Sequence, residues 1–298
     1  MKIALIQMSS QPDLRRNLAE VERLMNEAIV GNPDLIVLPE HFDWIGGSPD
    51  DKRAAADLVP GGKAYDRIQD FARRHRVFVH AGSLMERCTQ SGSVFNTTVV
   101  FDAEGSHVGA YRKIHLFDVT APNGVRYAES SVVTAGDDLL IYELNGWKIG
   151  CAICYDLRFS RLFDRLAQQA VDIFVLPAAF TRQTGEAHWE VLCRARAIEY
   201  QAFLVACGQC GSYNDLNGQP RETFGTSLVS DPWGSIIANA GHEPCVLQVA
   251  LDKKRLADVR NLIPMTSHRV DVSSMRVHVA GFTKSRTGIS VSRGHRFH

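Results

Sequence analysis

The chain has 298 residues, 33 basic against 33 acidic side chains, and a hydrophobic share of 45%. Balanced charge removes the electrostatic footprint by which proteins bind nucleic acid or an anionic membrane, so a small molecule is the expected partner. The length suits one large α/β domain better than two small ones, and no stretch approaches the ~20 apolar residues of a membrane helix.

The first apolar run, Ile3 to Ile6, is too short for a signal-peptide core and belongs to a strand predicted over Met1 to Met8. Helical periodicity follows over Asp13 to Val30, then a strand over Asp34 to Leu38 that stops at Pro39-Glu40. A helix is predicted over Lys63 to His75, a strand over Val77 to Leu84, and a hairpin from Val94 to Phe101 and His107 to Tyr111, turning at Asp102-Ala103-Glu104-Gly105. Ile114 to Asp138 reads as a loop-rich stretch. Beyond it come strands at Leu139 to Leu144 and Trp147 to Ile153, a helix over Leu157 to Ala170, a strand at Asp172 to Leu176, a helix over Glu186 to Gln201 and a strand at Phe203 to Cys207. Strands at Thr226 to Ser230, Ser235 to Asn239 and Cys245 to Leu251, with a helix over Lys253 to Asn261, complete the alternation.

Within it, Asp34-Leu35-Ile36-Val37-Leu38-Pro39 recurs as Asp172-Ile173-Phe174-Val175-Leu176-Pro177. Two similar halves, each a sheet covered on one side by helices, would pair their bare faces as an α-β-β-α sandwich. The bland alternative is a buried strand with a proline stop, met twice.

Seven cysteines, an odd number scattered through apolar segments, are unlike a secreted disulfide framework and imply a reducing, cytoplasmic setting. In that setting the glycosylation-like triplet Asn96-Thr97-Thr98 carries no sugar. Cys151 to Cys154 and Cys207 to Cys210 have Cys-x-x-Cys spacing, but the gap between them far exceeds that of a zinc ribbon. Three apart on a strand, side chains point to opposite faces. No metal or cofactor is expected.

Cys154 lies where the strand Lys148-Ile149-Gly150-Cys151-Ala152-Ile153 gives way to a helix, an elbow of the kind that presents a nucleophile beside helix N-terminal amides. Its ordinary alternative is a buried structural thiol. Glu40, at a strand end, is placed to serve as a base, though a lone carboxylate there is as readily an ion pair or cap. Lys113, in Tyr111-Arg112-Lys113-Ile114-His115-Leu116-Phe117, could stabilise an oxyanion or simply be solvated.

Together, Leu38-Pro39-Glu40, Tyr111 to Phe117 and Gly150-Cys151-Ala152-Ile153-Cys154-Tyr155-Asp156-Leu157-Arg158-Phe159 resemble the glutamate, lysine and cysteine boxes of the carbon-nitrogen hydrolase (nitrilase-like) superfamily. The likeness continues through Gly185-Glu186-Ala187-His188-Trp189-Glu190, Arg194 to Glu199 and Asp231-Pro232-Trp233-Gly234, and is greatest with the deaminated glutathione amidase and ω-amidase branch. It implies a four-layer α-β-β-α sandwich of the nitrilase type over residues 1–270, with 271–298 as a C-terminal extension. It also implies Cys154 as nucleophile, Glu40 as base, Lys113 as electrostatic stabiliser and Glu129 as a second glutamate orienting the lysine, with the oxyanion between Lys113 and the Tyr155 N–H. Arg158 would clamp a substrate carboxylate, its alternative being a structural partner of Asp156 or Glu199, and Phe180 and Thr184 would wall the pocket. His188, Trp189, Arg194, Arg196 and Glu199 share a helix expected to shape the scaffold and a subunit contact, so a homodimer or higher even assembly is implied.

Three departures bear on the substrate and the end of the chain: the loop Val119-Thr120-Ala121-Pro122-Asn123-Gly124 lacks an acidic stretch, His268-Arg269-Val270 lacks a second arginine, and the extension carries Arg276, Lys284, Arg286, Arg293 and Arg296. The competing functions are a nitrilase using the same cysteine, a non-catalytic binding module on this fold, and a zinc or redox protein.

Overall fold

A computed structural model describes residues 1–121, 124–215, 217–272 and 274–278; Pro122 and Asn123 of the departing loop, and Lys284, Arg286, Arg293 and Arg296 of the extension, lie outside the described residues. In chain order the first half comprises β1 (Lys2–Gln7), α1 (Leu14–Ile29), β2 (Leu35–Val37), α2 (Pro49–Ala55), α3 (Lys63–His75), β3 (Phe78–Arg87), β4 (Val94–Phe101) and β5 (His107–Arg112). A hairpin, β6 (Asp118–Thr120) and β7 (Arg126–Ala128), leads to β8 (Ile141–Leu144), β9 (Trp147–Cys151), α4 (Ser160–Ala167), β10 (Ile173–Ala178), α5 (Arg182–Tyr200) and β11 (Phe203–Gly208). After a second hairpin, β12 (Ser212–Asn214) and β13 (Pro220–Glu222), come β14 (Leu228–Ser230), β15 (Ile236–Asn239), β16 (Cys245–Ala250), α6 (Lys253–Leu262) and α7 (Met265–His268). The chain divides into two units, Met1–Pro264 and Met265–His298, and α7 belongs to the second.

The strands form two six-stranded sheets, ordered β16-β1-β2-β3-β4-β5 and β15-β14-β11-β10-β9-β8. In each, three parallel strands are flanked by antiparallel ones, and the repeated hexapeptide supplies the middle parallel strand: β2 between β1 and β3, β10 between β9 and β11. The repeated sequence thus marks a repeated topology.

Period-two alternation explains the layering. On β1 and β2, Ile3, Leu5, Leu35 and Val37 join Ile173, Val175 and Val205 of the other sheet in one core. Their neighbours Ala4, Ile6, Ile36 and Leu38 pack with Leu24, Met25, Ile68 and Phe71 of α1 and α3. On the far side α4 and α5 cover the second sheet, Phe163 meeting Phe174 edge to face at 5.1 Å. The result is α-β-β-α.

Several elements depart from the sequence expectation. The predicted loop Ile114 to Asp138 holds β6, β7 and a 3-10 turn, Glu129–Ser131. The helix expected from Leu157 begins at Ser160, because Cys154–Arg158 forms a 3-10 turn and Phe159 breaks it with φ −110° and ψ 89°. The helix expected from Glu186 begins four residues earlier, where the Thr181 side chain caps it by accepting from the Thr184 N–H. Helix α2, not anticipated, starts at a Ser48-Asp51 capping box with Pro49 at its first position.

Candidate active site

Glu40 is set by backbone crowding at the end of β2. Gly82, at φ +34° in the irregular middle of β3, lies so close to Pro39 that a Cβ there would sit 2.0 Å from the Pro39 carbonyl oxygen. Ser83 N donates to that oxygen at 3.3 Å, and the His41 N–H donates to Ser83 Oγ at 3.0 Å. The Glu40 carboxylate then points between the sheets. The second copy of the repeat meets the first here, since Ala179 N, just past β10, donates to Glu40 Oε2 at 2.8 Å.

Cys154 has φ +47°, a conformation that costs a non-glycine residue energy and persists only when its surroundings hold it. Asp156, fully buried, supplies the hold. Its carboxylate accepts from Ile153 N at 2.9 Å, the Tyr111 hydroxyl at 2.7 Å and His115 N at 3.0 Å, and lies 2.8 Å from His115 Nδ1. His115 stacks flat on Phe159 with centroids 3.7 Å apart. From α5, buried Arg196 donates to the Leu157 carbonyl at 3.1 Å. Tyr155 is the second residue of the turn, where leading amides have no intrahelical acceptor and can face an oxyanion.

Lys113 continues β5 by donating its N–H to Asn96 O at 2.9 Å. Its ammonium donates to Glu40 Oε1 at 2.9 Å and to Glu129 Oε1 and Oε2 at 3.1 and 2.8 Å. Glu129, on the 3-10 turn after β7, is fixed by Phe117 N at 2.7 Å. Asn96 completes the cluster: its amide donates to Glu40 Oε1 at 2.9 Å and Glu129 Oε1 at 3.2 Å. Asn96 is fully buried, so the triplet that looks like a glycosylation acceptor is part of the site.

The charges follow from this packing. Burial pushes the Glu40 carboxyl up, but Lys113, His41 and a hydrogen bond from the Cys154 thiol pull it further down, to about 2. Burial pulls Lys113 down, and Glu129 with Glu40 carries it well above the ordinary lysine value. Burial and then the Glu40 charge hold the Cys154 thiol well above its ordinary value, with Lys113 opposing. The resting site is therefore a protonated thiol against a carboxylate, an arrangement in which sulfur can attack only as its proton moves to Glu40.

These groups open into a cavity of about 340 Å³, at the low end of the roughly 300–1,000 Å³ typical of small-molecule clefts. Glu40, Lys113, Glu129 and Cys154 line it, and so do Tyr155, Arg158, Phe180 and Thr184. Arg158 lies over the Tyr155 and Phe180 rings, its carbon 5.8 and 5.3 Å from their centroids, and is 3.2 Å from His188 Nδ1. Of its two alternative partners, Asp156 is bound to the elbow and Glu199 pairs with Arg196 at 2.6 Å.

Sequence reasoning missed Asn96, the bracing role of Asp156, and pocket residues His41, Lys52, Tyr213 and Arg221. The signal for α2 was its capping box; for Asp156, its place two residues after the elbow cysteine. All seven cysteines are free. Among the described residues, Glu40, His41 and Glu129 could offer ligand atoms within 4.8 Å of one another, but Lys113 already bonds both carboxylates and supplies the positive charge there.

The chain matches the family described as carbon-nitrogen hydrolase over residues 2–261. It is 35% identical over 272 residues to a deaminated glutathione amidase of Synechocystis, covering 90% of this chain and 98% of that protein. It is 32% identical to omega-amidase NIT2 of Xenopus tropicalis, covering 90% and 94%. The crystal structure of Saccharomyces cerevisiae Nit3, a member of branch 10 of the nitrilase superfamily, superposes with a TM-score of 0.80 at 27% identity, covering 89% of this chain and 95% of that one.

Proposed function

The chain belongs to the carbon-nitrogen hydrolase family, and from that premise we propose that it hydrolyses the amide of a small carboxylate-bearing acid through a thioester on Cys154. The family and its amidase-named relatives make it a hydrolase of carbon-nitrogen bonds other than peptide bonds, and favour amide over nitrile as the substrate group.

In the proposed reaction, sulfur bonds to the amide carbon as the thiol proton passes to Glu40, and the oxygen takes the negative charge between Lys113 and the Tyr155 N–H. The carbon-nitrogen bond then breaks while Glu40 returns the proton to nitrogen, releasing ammonia or an amine. Glu40 next takes a proton from water as it attacks the thioester; the carbon-sulfur bond breaks, and acid and thiol are regenerated. Glu129 orients Lys113. Arg158 takes the acyl chain's carboxylate, a guanidinium fork matching it bidentately, with Phe180 and Thr184 beside it. The substrates are of the deaminated glutathione or 2-oxoglutaramate type, in keeping with relatives named deaminated glutathione amidase and omega-amidase.

The observation that carries this reading is one buried ammonium shared by two carboxylates in the cavity that Cys154 also lines. Residues 1–270 form the hydrolase domain and 271–298 an extension, and the enzyme works in the cytoplasm as a homodimer or higher even assembly. Among the described residues no helix is long and apolar enough to cross a membrane. Mass spectrometry after mixing with a slow amide tests the reading: an acyl adduct on the peptide holding Cys154 is expected, and full turnover by Cys154→Ala would refute it.

A further inference from the structure

We propose that Lys52 of α2 recognises a carboxylate on the departing amine, so that the preferred substrate carries an anion at both ends, one on the acyl chain and one on a peptide-like leaving group. This rests on the amidase reading above and deepens it.

Helix α2 is anchored against the second glutamate: Arg53 donates to the Ser131 carbonyl at 2.7 Å, at the end of the turn that Glu129 begins. That docking turns Lys52, one residue earlier, into the cavity. Burial there pulls its ammonium below the ordinary lysine value, and the opposing charge that faces it is Glu129. Glu129 is already committed, accepting from Lys113, Phe117 N and Asn96. Among the described residues the Lys52 ammonium has no hydrogen bond or ion pair. A half-buried cation with three donors and no protein acceptor is left to cavity water, which a ligand carboxylate can replace.

The neighbouring cations differ. Arg221 is tied to Asp215, and Arg158 lies against aromatic rings on the turn past Cys154. Arg158 and Lys52 thus come from different walls, one adjoining the nucleophile, the other adjoining Glu129. Once sulfur has bonded to the acyl carbon, the acyl chain stays with Cys154 and the amine leaves past Glu40, which returns its proton, and the neighbouring Glu129. A carboxylate on that amine meets Lys52.

The test compares kcat/KM for three substrates: deaminated glutathione, its analogue with the terminal glycine carboxylate replaced by a carboxamide, and 2-oxoglutaramate. In the wild-type protein the carboxylate form is expected to exceed the carboxamide about 10- to 100-fold, the scale of a charge-assisted hydrogen bond. Lys52→Met should collapse that ratio to about one, chiefly through KM, and Lys52→Arg should retain most of it. A ratio that persists in Lys52→Met, or a wild-type protein that does not distinguish the two forms, would overturn the assignment. Cleavage of 2-oxoglutaramate without either dipeptide amide would overturn it too while leaving the amidase reading intact; cleavage of none of the three would overturn that reading itself.

Discussion

Replacing Glu129 by glutamine keeps the shape of the site and removes one charge. Glu129 Oε1 accepts from Lys113 and Asn96, and Oε2 from Lys113 and Phe117 N, so both oxygens face donors on all sides. A glutamine can present its oxygen to only one set; its amide hydrogens then confront donors on the other. At 2.8 Å and an effective dielectric of about 20, the lost attraction to Lys113 is about 6 kcal/mol before solvation and relaxation offset it. Losing one partner of a buried pair leaves a net cost of about 3–5 kcal/mol. With Glu129 neutral, Lys113 leans wholly on Glu40, which becomes a weaker base toward the thiol. If most of that cost falls on the transition state, kcat/KM for ammonia release drops about 100- to 1,000-fold, at 1.36 kcal/mol per tenfold. The assay is steady-state ammonia release with circular dichroism confirming the fold. Turnover within about threefold of wild type would refute the claim that Glu129 sets the electrostatics of Lys113 and would reduce it to part of the cavity wall.

Gly82→Ala should displace Pro39 and Glu40 by forcing apart a 2.0 Å approach, and a shift of about 1 Å at a catalytic group costs on the order of 100-fold in rate; wild-type kcat would disprove the packing argument. Asp156→Ala, which strips the brace from the strained Cys154 elbow, should slow thiol alkylation and lower the thermal midpoint, whereas unaltered alkylation kinetics would count against the brace. Acid should act on stability through three buried groups. Glu40 is depressed in the fold to about 2 from 4.5, so its contribution is full above its unfolded value and is lost as pH drops through about 2. His80, held down to about 3 from 6.5 by burial, adds loss beginning near pH 6.5 and continuing to about 3. Buried Asp43, raised to about 7 from 3.8, acts in the opposite sense and gains stability as pH falls from about 7 to 3.8, so His80 is read by comparison: in chemical denaturation across pH 3–7, His80→Gln should lose less stability than wild type on acidification below about 6.5, and parallel profiles would exclude His80.

The sandwich was legible because its central strands are buried on both faces and read as unbroken apolar runs, and because a hexapeptide recurs where the topology recurs. The elements that escaped notice share the opposite trait. Helix α2 buries no side chain completely, and β12 and β13 show a single half-buried residue between exposed ones, so hydrophobic periodicity had nothing to register. Those elements nonetheless bring Lys52, Tyr213 and Arg221 to the cavity. At the centre, motifs named the chemically expressive residues, while Asn96 was hidden in the apolar, β-branched run of β4. An amide placed between two carboxylates is a fact of tertiary geometry that no local pattern encodes.

Glu40 ends a strand of one sheet, and Cys154 follows a strand of the other. Their spacing is therefore a direct gauge of how the two sheets are seated. A truncation in the intervening layer, at Ile3 or Val205 for instance, would alter that gauge without touching any polar group. Turnover should consequently register loosened seating before a melting curve does, and a half-assembled chain would hold its thiol away from the carboxylate that makes it useful.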